Sequence, residues 1–400
     1  MVQPLHIKGA YVWEWDDLHR FNLYTNTYVL DKPVTDTKTI DLSGYNIFPG
    51  LINAHDHLEL NHFPRSKFRE KYDNAHQWGE DMNARLDTEP YKSLRAYPLW
   101  DKLFIGGLKN LLCGATTVAH HNPPHKELWR KDFPVRVLRK YGWAHSLHFS
   151  TDAEIVESYR KTPKDVPWFI HLAEGTDDVA AGEYKRLKTL GCVQSNTIIV
   201  HGVGMTDEDI DDAALHIRGI VFCPSTNEYL LGKTADINKW LCHPNTNFRV
   251  GIGSDSRLTA NGDVLDEIHV GEKSNGYLSG AAQYSLSASG ADMISDKFAG
   301  RLTTGSFADF VVLKETSAYM DDKFRESKRS DFALVVKGGV PQIGDPDVMA
   351  KFPHVQTVAA TLDGKPKRIQ LDLVRRIHQN QLKEPGLEVD DLPKRKFMVW

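Results

Sequence analysis

Cysteine is scarce in this chain. The four residues, Cys113, Cys192, Cys223 and Cys242, form no CxxC pair or other metal-type spacing, so neither a thiolate zinc site nor a disulfide framework is expected. Cys113 and Cys223 lie in apolar surroundings and read as packed thiols. Long hydrophobic runs are missing too: no segment approaches the roughly 20 apolar residues needed to cross a bilayer. The opening MVQPLHIKGAYVW has no basic stretch followed by a long apolar region, so no secretory signal is expected and a reducing cytoplasm is the expected location. Nor does one charge dominate. Lys and Arg number 49 against 53 Asp and Glu, a formal net charge of -4, which gives no general electrostatic reason to bind nucleic acid or anionic lipid. The basic stretch 365–376 is interleaved with apolar residues and reads as a solvated amphipathic face. Repeats and low-complexity tracts are also absent.

What is present is a soluble, globular composition, 41% hydrophobic and 26% charged over 400 residues, suited to a barrel-sized domain with a satellite. Residues 5–48 alternate short β-rich pieces with turns, and so do 308–313 and 332–339. Between these flanks, apolar strand-like runs alternate with helical stretches, the pattern of a βα-repeat domain. Strands are expected at 47–54, 115–120, 143–149, 167–172, 197–201, 219–223 and 249–254. Helices are expected at about 101–112, 128–141, 177–190, 207–217 and 263–272. Thr206 and Asp209 fit an N-terminal capping box loosely. A (β/α)8 barrel needs eight strands, and these number seven. The shortfall falls near 150–166, which either hides a short strand or marks an abbreviated side of a distorted barrel. The expected domains are 1–48 and 303–345 as two sheet-forming flanks, 49–302 as the barrel, and 346–400 as a polar C-terminal extension with one helix near 370–381.

Four of the strand-like runs end in metal-type residues: His55-Asp56-His57, His171 with Glu174, His201, and Asp255. Side chains two apart on a strand share a face, so His55 and His57 point inward together and Asp56 turns away. His171 and Asp255 come to the same C-terminal rim, where the active sites of such barrels lie. Imidazole and carboxylate ligands suit zinc, with iron as the alternative, and an open position admits water. Such an ion lowers the pKa of water from about 15.7 to about 7. Asp255 is placed to ligate and to take the proton, Glu174 to carry it to the substrate, and His201 to hydrogen-bond the attacking oxygen or stabilise charge at the attacked carbon. Taken singly, each histidine reads more readily as a satisfied core or surface group than as a ligand, Asp255 can be read as a cap and Glu174 as a solvated charge. Their joint placement points to a metal site.

The segments PGLINAHDH, GATTVAHHN, HLAEG, VHGVGMT, CPSTNEYLLG, GIGSDS and GRLTTGSFADFVVL resemble the amidohydrolase superfamily over most of the chain. The resemblance implies a TIM-like barrel plus a small β-sandwich built from both chain ends, with Gly305 and Asp309 in the turn that returns to it. Binuclear members bridge two metals with a carbamylated lysine from a mid-barrel strand; no lysine lies in 143–149. Glutamate three residues after the mid-chain histidine is similar to the mononuclear deaminase and chlorohydrolase branch, which includes cytosine deaminase, guanine deaminase and triazine hydrolases. By that likeness one divalent ion is held by His55, His57, His171 and Asp255, with His201 and Glu174 acting on water and substrate. The implied reaction is hydrolytic deamination of a small nitrogen heterocycle or amidine. Hydrolysis of a cyclic amide or a carbon–halogen bond is the runner-up, and a silent scaffold on the same fold is the alternative of another class. His121, His148, Asn227 and Arg257 are expected substrate contacts, each equally readable as a rim residue or salt bridge. The expected partner is a small-molecule substrate, with a homodimer allowed by the likeness.

Overall fold

The computed structural model describes residues 2–14, 17–20, 22–245, 247–276, 284–315 and 323–392. The chain divides into two compact units, one of Met1–Gly50, Arg301–Ser317 and Lys328–Trp400, the other of Leu51–Gly300 and Ala318–Ser327.

The second unit carries the site. Among the described residues it has eight strands in chain order, Leu51–Asp56, Ala115–His120, Arg136–Val137, Gly142–Ser146, Trp168–Leu172, Thr197–His201, Gly219–Phe222 and Arg249–Ile252. They pair in parallel as two arcs, the first three strands and the last five. The last strand closes on the first: the Asp255 amide donates to the His55 carbonyl at 3.0 Å, and a Cβ on Gly251 would fall 2.9 Å from Ala54 Cβ. The result is an α/β barrel of the TIM type. Strands buried on both faces need continuous apolar runs, such as the Ile198-Ile199-Val200 run, all at 0% exposure. Four helices of this unit start on side-chain caps. Thr151, Thr206 and Asp263 each complete a capping box, and Asp177 accepts the Ala180 amide.

Three expectations need correcting. The run 47–54 is two strands, Tyr45–Pro49 and Leu51–Asp56, broken at Gly50, and only the second belongs to the barrel. No helix spans 128–141. A short 3-10 turn ends at Trp129, Pro134 cannot sit inside a helix, and Arg136 and Val137 pair with Thr117 and Val118 of the strand Ala115–His120 instead. This two-residue strand is the missing eighth, and only residues 138–141 separate it from the next strand. The stretch 150–166 holds no strand; it forms the helix Asp152–Lys161.

The first unit is a β-sandwich. A nine-stranded sheet includes Tyr11–Glu14, Tyr45–Pro49, Phe310–Lys314 and Leu334–Lys337, and a four-stranded sheet is built on Leu5–Lys8. Leu5 and Ile7 from one sheet and Val12, Ile47, Phe310 and Val336 from the other share one core. At the expected turn Gly305 has φ 89° and Asp309 Oδ1 accepts the Gly338 amide at 2.5 Å. Beyond residue 345 lie not only the helix Leu371–Gln379 but also strands Thr357–Leu362, Lys365–Gln370 and Leu387–Val389, which extend the nine-stranded sheet. No described helix is long and apolar enough to cross a membrane.

Candidate metal centre

At the C-terminal ends of the barrel strands, His55, His57 and His171 are buried and bring one ligand atom each within 4.8 Å of one another. His171 Nε2 lies 3.3 Å from both His55 Nε2 and His57 Nε2. Their tautomers follow from their outer partners. His171 Nδ1 faces the His145 carbonyl at 2.8 Å, so it carries the proton and leaves Nε2 bare. His121 Nε2 donates to the Ala144 carbonyl at 3.0 Å, so its Nδ1 accepts from His55 Nδ1 at 3.3 Å, and His55 Nε2 is bare as well. Burial and the neighbouring imidazoles hold His55, His121 and His171 well below the usual histidine range, which keeps them neutral.

Two bare nitrogens facing each other at 3.3 Å repel unless a cation lies between them. A tetrahedral ion with bonds of about 2.0–2.1 Å to nitrogen requires a nitrogen–nitrogen edge of roughly 3.3–3.4 Å. The donor set therefore fits a divalent metal. Asp255 Oδ1 adds a carboxylate oxygen 3.5 Å from His57 Nε2 and 3.8 Å from His55 Nε2. Its other oxygen, Oδ2, accepts from the Thr226 and Thr259 hydroxyls, each at 3.0 Å, which turns Oδ1 to the histidines.

Two acid–base groups stand beside this set. His201 Nδ1 donates to Asn227 Oδ1 at 2.8 Å, and its Nε2 lies 3.5 Å from Glu174 Oε2. Burial pushes His201 down to about 4, so it is neutral with a bare Nε2. Glu174 moves the other way: burial, with Asp255 and Glu183 near it, drives its carboxyl well above the usual range. Three strand ends turn out through left-handed backbone, at Ala173 (φ 53°), His201 (φ 75°) and Asp255 (φ 48°). At the first of these Glu183 Oε2 accepts the Ala173 amide at 2.6 Å while its Oε1 meets His76 Nε2 at 3.1 Å.

Asp56 turns away from the histidines, though not towards solvent. It is fully buried, paired with Lys109 Nζ at 2.9 Å, and accepts from Asn110 at 2.7 Å and Asn61 at 2.8 Å. Lys109 also reaches Ser254 Oγ at 3.0 Å, beside Asp255. This network ties the first strand, the helix Leu99–Leu112 and the last strand end together.

A cavity of 380 Å³ opens on the group, lined by His57, His171, Glu174, His201 and Asp255. The expected substrate contacts fare differently. His121 packs behind the site, its ring 4.2 Å from that of His171, and orients His55 instead of facing the cavity. Asn227 is wholly buried and orients His201. His148 stacks on His76 and pairs with Glu80 at 2.9 Å, outside the lining. Arg257 is also outside it; its amide donates to Asn61 Oδ1. Among the lining residues that sequence reasoning passed over are His76, Met82, His145, Glu183, Thr226 and Thr259. Of these only Thr226 and Thr259 sit inside or beside motifs already noted, CPSTN and GIGSDS.

The amidohydrolase family model matches residues 127–341, just over half of the chain. The chain belongs to the amidohydrolase family. A 5-methylthioadenosine/S-adenosylhomocysteine deaminase of Natronomonas pharaonis is 27% identical over 187 residues, 42% of this chain and 42% of that protein. A protein of the same name from Haloarcula marismortui is 27% identical over 133 residues, 31% of this chain and 30% of its own. The matches thus span less than half the length of these curated relatives. Among solved structures, a zinc-bound adenosine deaminase from Xanthomonas campestris has a TM-score of 0.68 at 16% identity, over 88% of this chain and 96% of that one. A zinc complex of atrazine chlorohydrolase from Arthrobacter aurescens TC1 has a TM-score of 0.69 at 15% identity, over 88% and 99%. This amidohydrolase shares their fold.

Proposed function

We propose that the protein is a metal-dependent hydrolase that deaminates a small nitrogen heterocycle or amidine, with one zinc ion held by His55, His57, His171 and Asp255. The observation that carries this reading is the pairing of a metal-type histidine group with a carboxyl, Glu174, whose surroundings favour its protonated form. The names of the partial relatives point the same way. When bound, the ion supplies Lewis acidity, bringing the pKa of water to about 7.

The chain's own residues supply the rest. Glu174 lines the cavity and hands its proton to the ring nitrogen beside the attacked carbon, which makes that carbon electrophilic. His201, neutral and with its Nδ1 proton committed to Asn227, accepts from the attacking water and fixes its direction. Asp255 takes the water's proton. Once the carbon–oxygen bond has formed, Asp255 passes the water's proton to the exocyclic amine, the carbon–nitrogen bond breaks and ammonia leaves; the new hydroxyl becomes the carbonyl by giving its proton to Glu174, and the ring nitrogen keeps the proton it received.

The test is metal analysis of the purified protein followed by an ammonia-release screen over purines, pyrimidines, pterins, guanidines and triazines, with 5-methylthioadenosine included. About one zinc per chain and ammonia from one ring class are expected. Protein without divalent metal and without turnover would favour a silent scaffold; turnover without ammonia would favour amide or carbon–halogen hydrolysis.

A further inference from the structure

Above the histidines the cavity changes character. Leu60, Trp78, Met82, Leu86, Phe149 and Leu258 form an apolar outer wall. Trp78 and Met82 come from the helix Ala75–Asn83, and Gly79 of that helix lets Phe149 lie against it: a Cβ there would fall 2.6 Å from Phe149 Cζ. Among the described residues no lysine or arginine lines the cavity, whereas three carboxyls do, Glu174, Glu183 and Asp255. The imidazoles do not supply the missing cation. His201 commits its Nδ1 to Asn227, and His76 is already matched to Glu183. A divalent ion held by His55, His57 and His171 would bring its charge to the floor of the cavity and not to this wall.

We infer that the site selects substrates whose reacting ring bears an uncharged or cationic, largely apolar arm, and rejects those whose arm ends in a carboxylate or phosphate. The inference rests on the hydrolase reading above. An anionic arm entering this wall would lose its water with no lysine or arginine there to pair with. An apolar arm gains by leaving water. Discrimination of about ten-fold or more follows, because a wall without a matching partner penalises a charged group more than one surplus methylene.

The experiment uses the full-length, zinc-loaded protein and a panel in which adenine, guanine, cytosine and aminotriazine rings each carry either a butyl or a carboxypropyl arm. On whichever ring is turned over, the butyl compound should exceed the carboxypropyl one in kcat/KM by about ten-fold or more, and Leu86→Arg should narrow or reverse that ratio with metal content unchanged. Equal or better turnover of the carboxypropyl compound by the natural chain would overturn the inference. A second arm needs no turnover: ligand-observed NMR should detect binding of benzyl alcohol that weakens in Trp78→Ala, and none of benzenesulfonate, a poor metal ligand. If no ring is hydrolysed but this contrast holds, the hydrolase reading fails and the charge preference stands. If benzenesulfonate binds as well as benzyl alcohol, and Trp78→Ala weakens both, the charge preference fails whatever the screen shows.

Discussion

In the proposed reaction two residues act from opposite sides. Glu174 is asked to hold a proton and Asp255 to accept one, and their environments differ accordingly. Glu174 lies among buried neighbours that favour its neutral form, whereas both oxygens of Asp255 face donors or the histidine group. Glu174→Gln keeps the shape but removes the proton carrier. It should retain bound metal, read by elemental analysis, and lose about 10²–10⁴-fold in turnover; full activity in this variant would remove Glu174 from the mechanism. Thr226→Val acts on the other partner. With one of its two hydroxyl donors gone, Asp255 is less firmly aimed, and metal affinity in a chelator competition should fall about 10–100-fold, as for other groups that orient a ligand. The six principal residues stood out in the sequence because they lie at or just past the ends of four apolar runs. It did not reveal Asn227 as the partner of His201, nor His121 as the partner of His55. Those pairings join residues 26 and 66 positions apart and exist only once the strands are side by side.

At the scale of elements, the turn after Trp168–Leu172 and the helix Asp178–Thr189 act together. Glu183 reaches back from that helix to hold the Ala173 amide, while its second oxygen takes His76 at the start of the helix Ala75–Asn83. The Glu174 carbonyl accepts from the Ala75 amide at 2.9 Å, and the Thr176 amide donates to the Asp73 carbonyl at 2.7 Å, so the turn is clasped on both sides. Glu183→Ala should raise hydrogen–deuterium exchange at residues 173–176 without raising it in the body of the helix 178–189, and Glu183→Gln should restore protection because its carbonyl still accepts. Unchanged exchange in the alanine variant would show that the clasp does not depend on Glu183. Elements buried on both faces were the easy ones to read: the strands Ala115–His120 and Thr197–His201 lie where their apolar runs put them. The helix Ala75–Asn83 was not foreseen, since only Gly79 and Met82 in it are buried and its stripe faces a cavity, leaving a weak apolar period. The error at 128–141 came from weighing helix-compatible residues above Pro134.

For the whole molecule, stability depends on charges hidden behind the site. Lys109 and Asp56 are both fully buried and neutralise each other inside a net of amides and hydroxyls. Glu267 is buried and bonded through both oxygens to Ser225, and burial raises its carboxyl from its ordinary 4.5 to about 8. Below 4.5 the folded and unfolded chains both keep this proton. Between 4.5 and 8 only the folded chain does, so its contribution to stability declines as pH rises through that window. Glu267→Gln removes the linkage: melting temperature should fall less from pH 5 to pH 8 than in the natural chain, and an identical fall in both would rule this out.

The left-handed turns at Ala173, His201 and Asp255 also bear on how such a protein diversifies. That backbone region is tolerated by glycine and, less well, by aspartate and asparagine, and it is closed to branched side chains and to proline. At these positions the backbone vetoes most replacements before their chemistry is tried. Lineages descended from this chain would therefore keep the floor of the cavity nearly constant and gain new substrates by exchanging its walls.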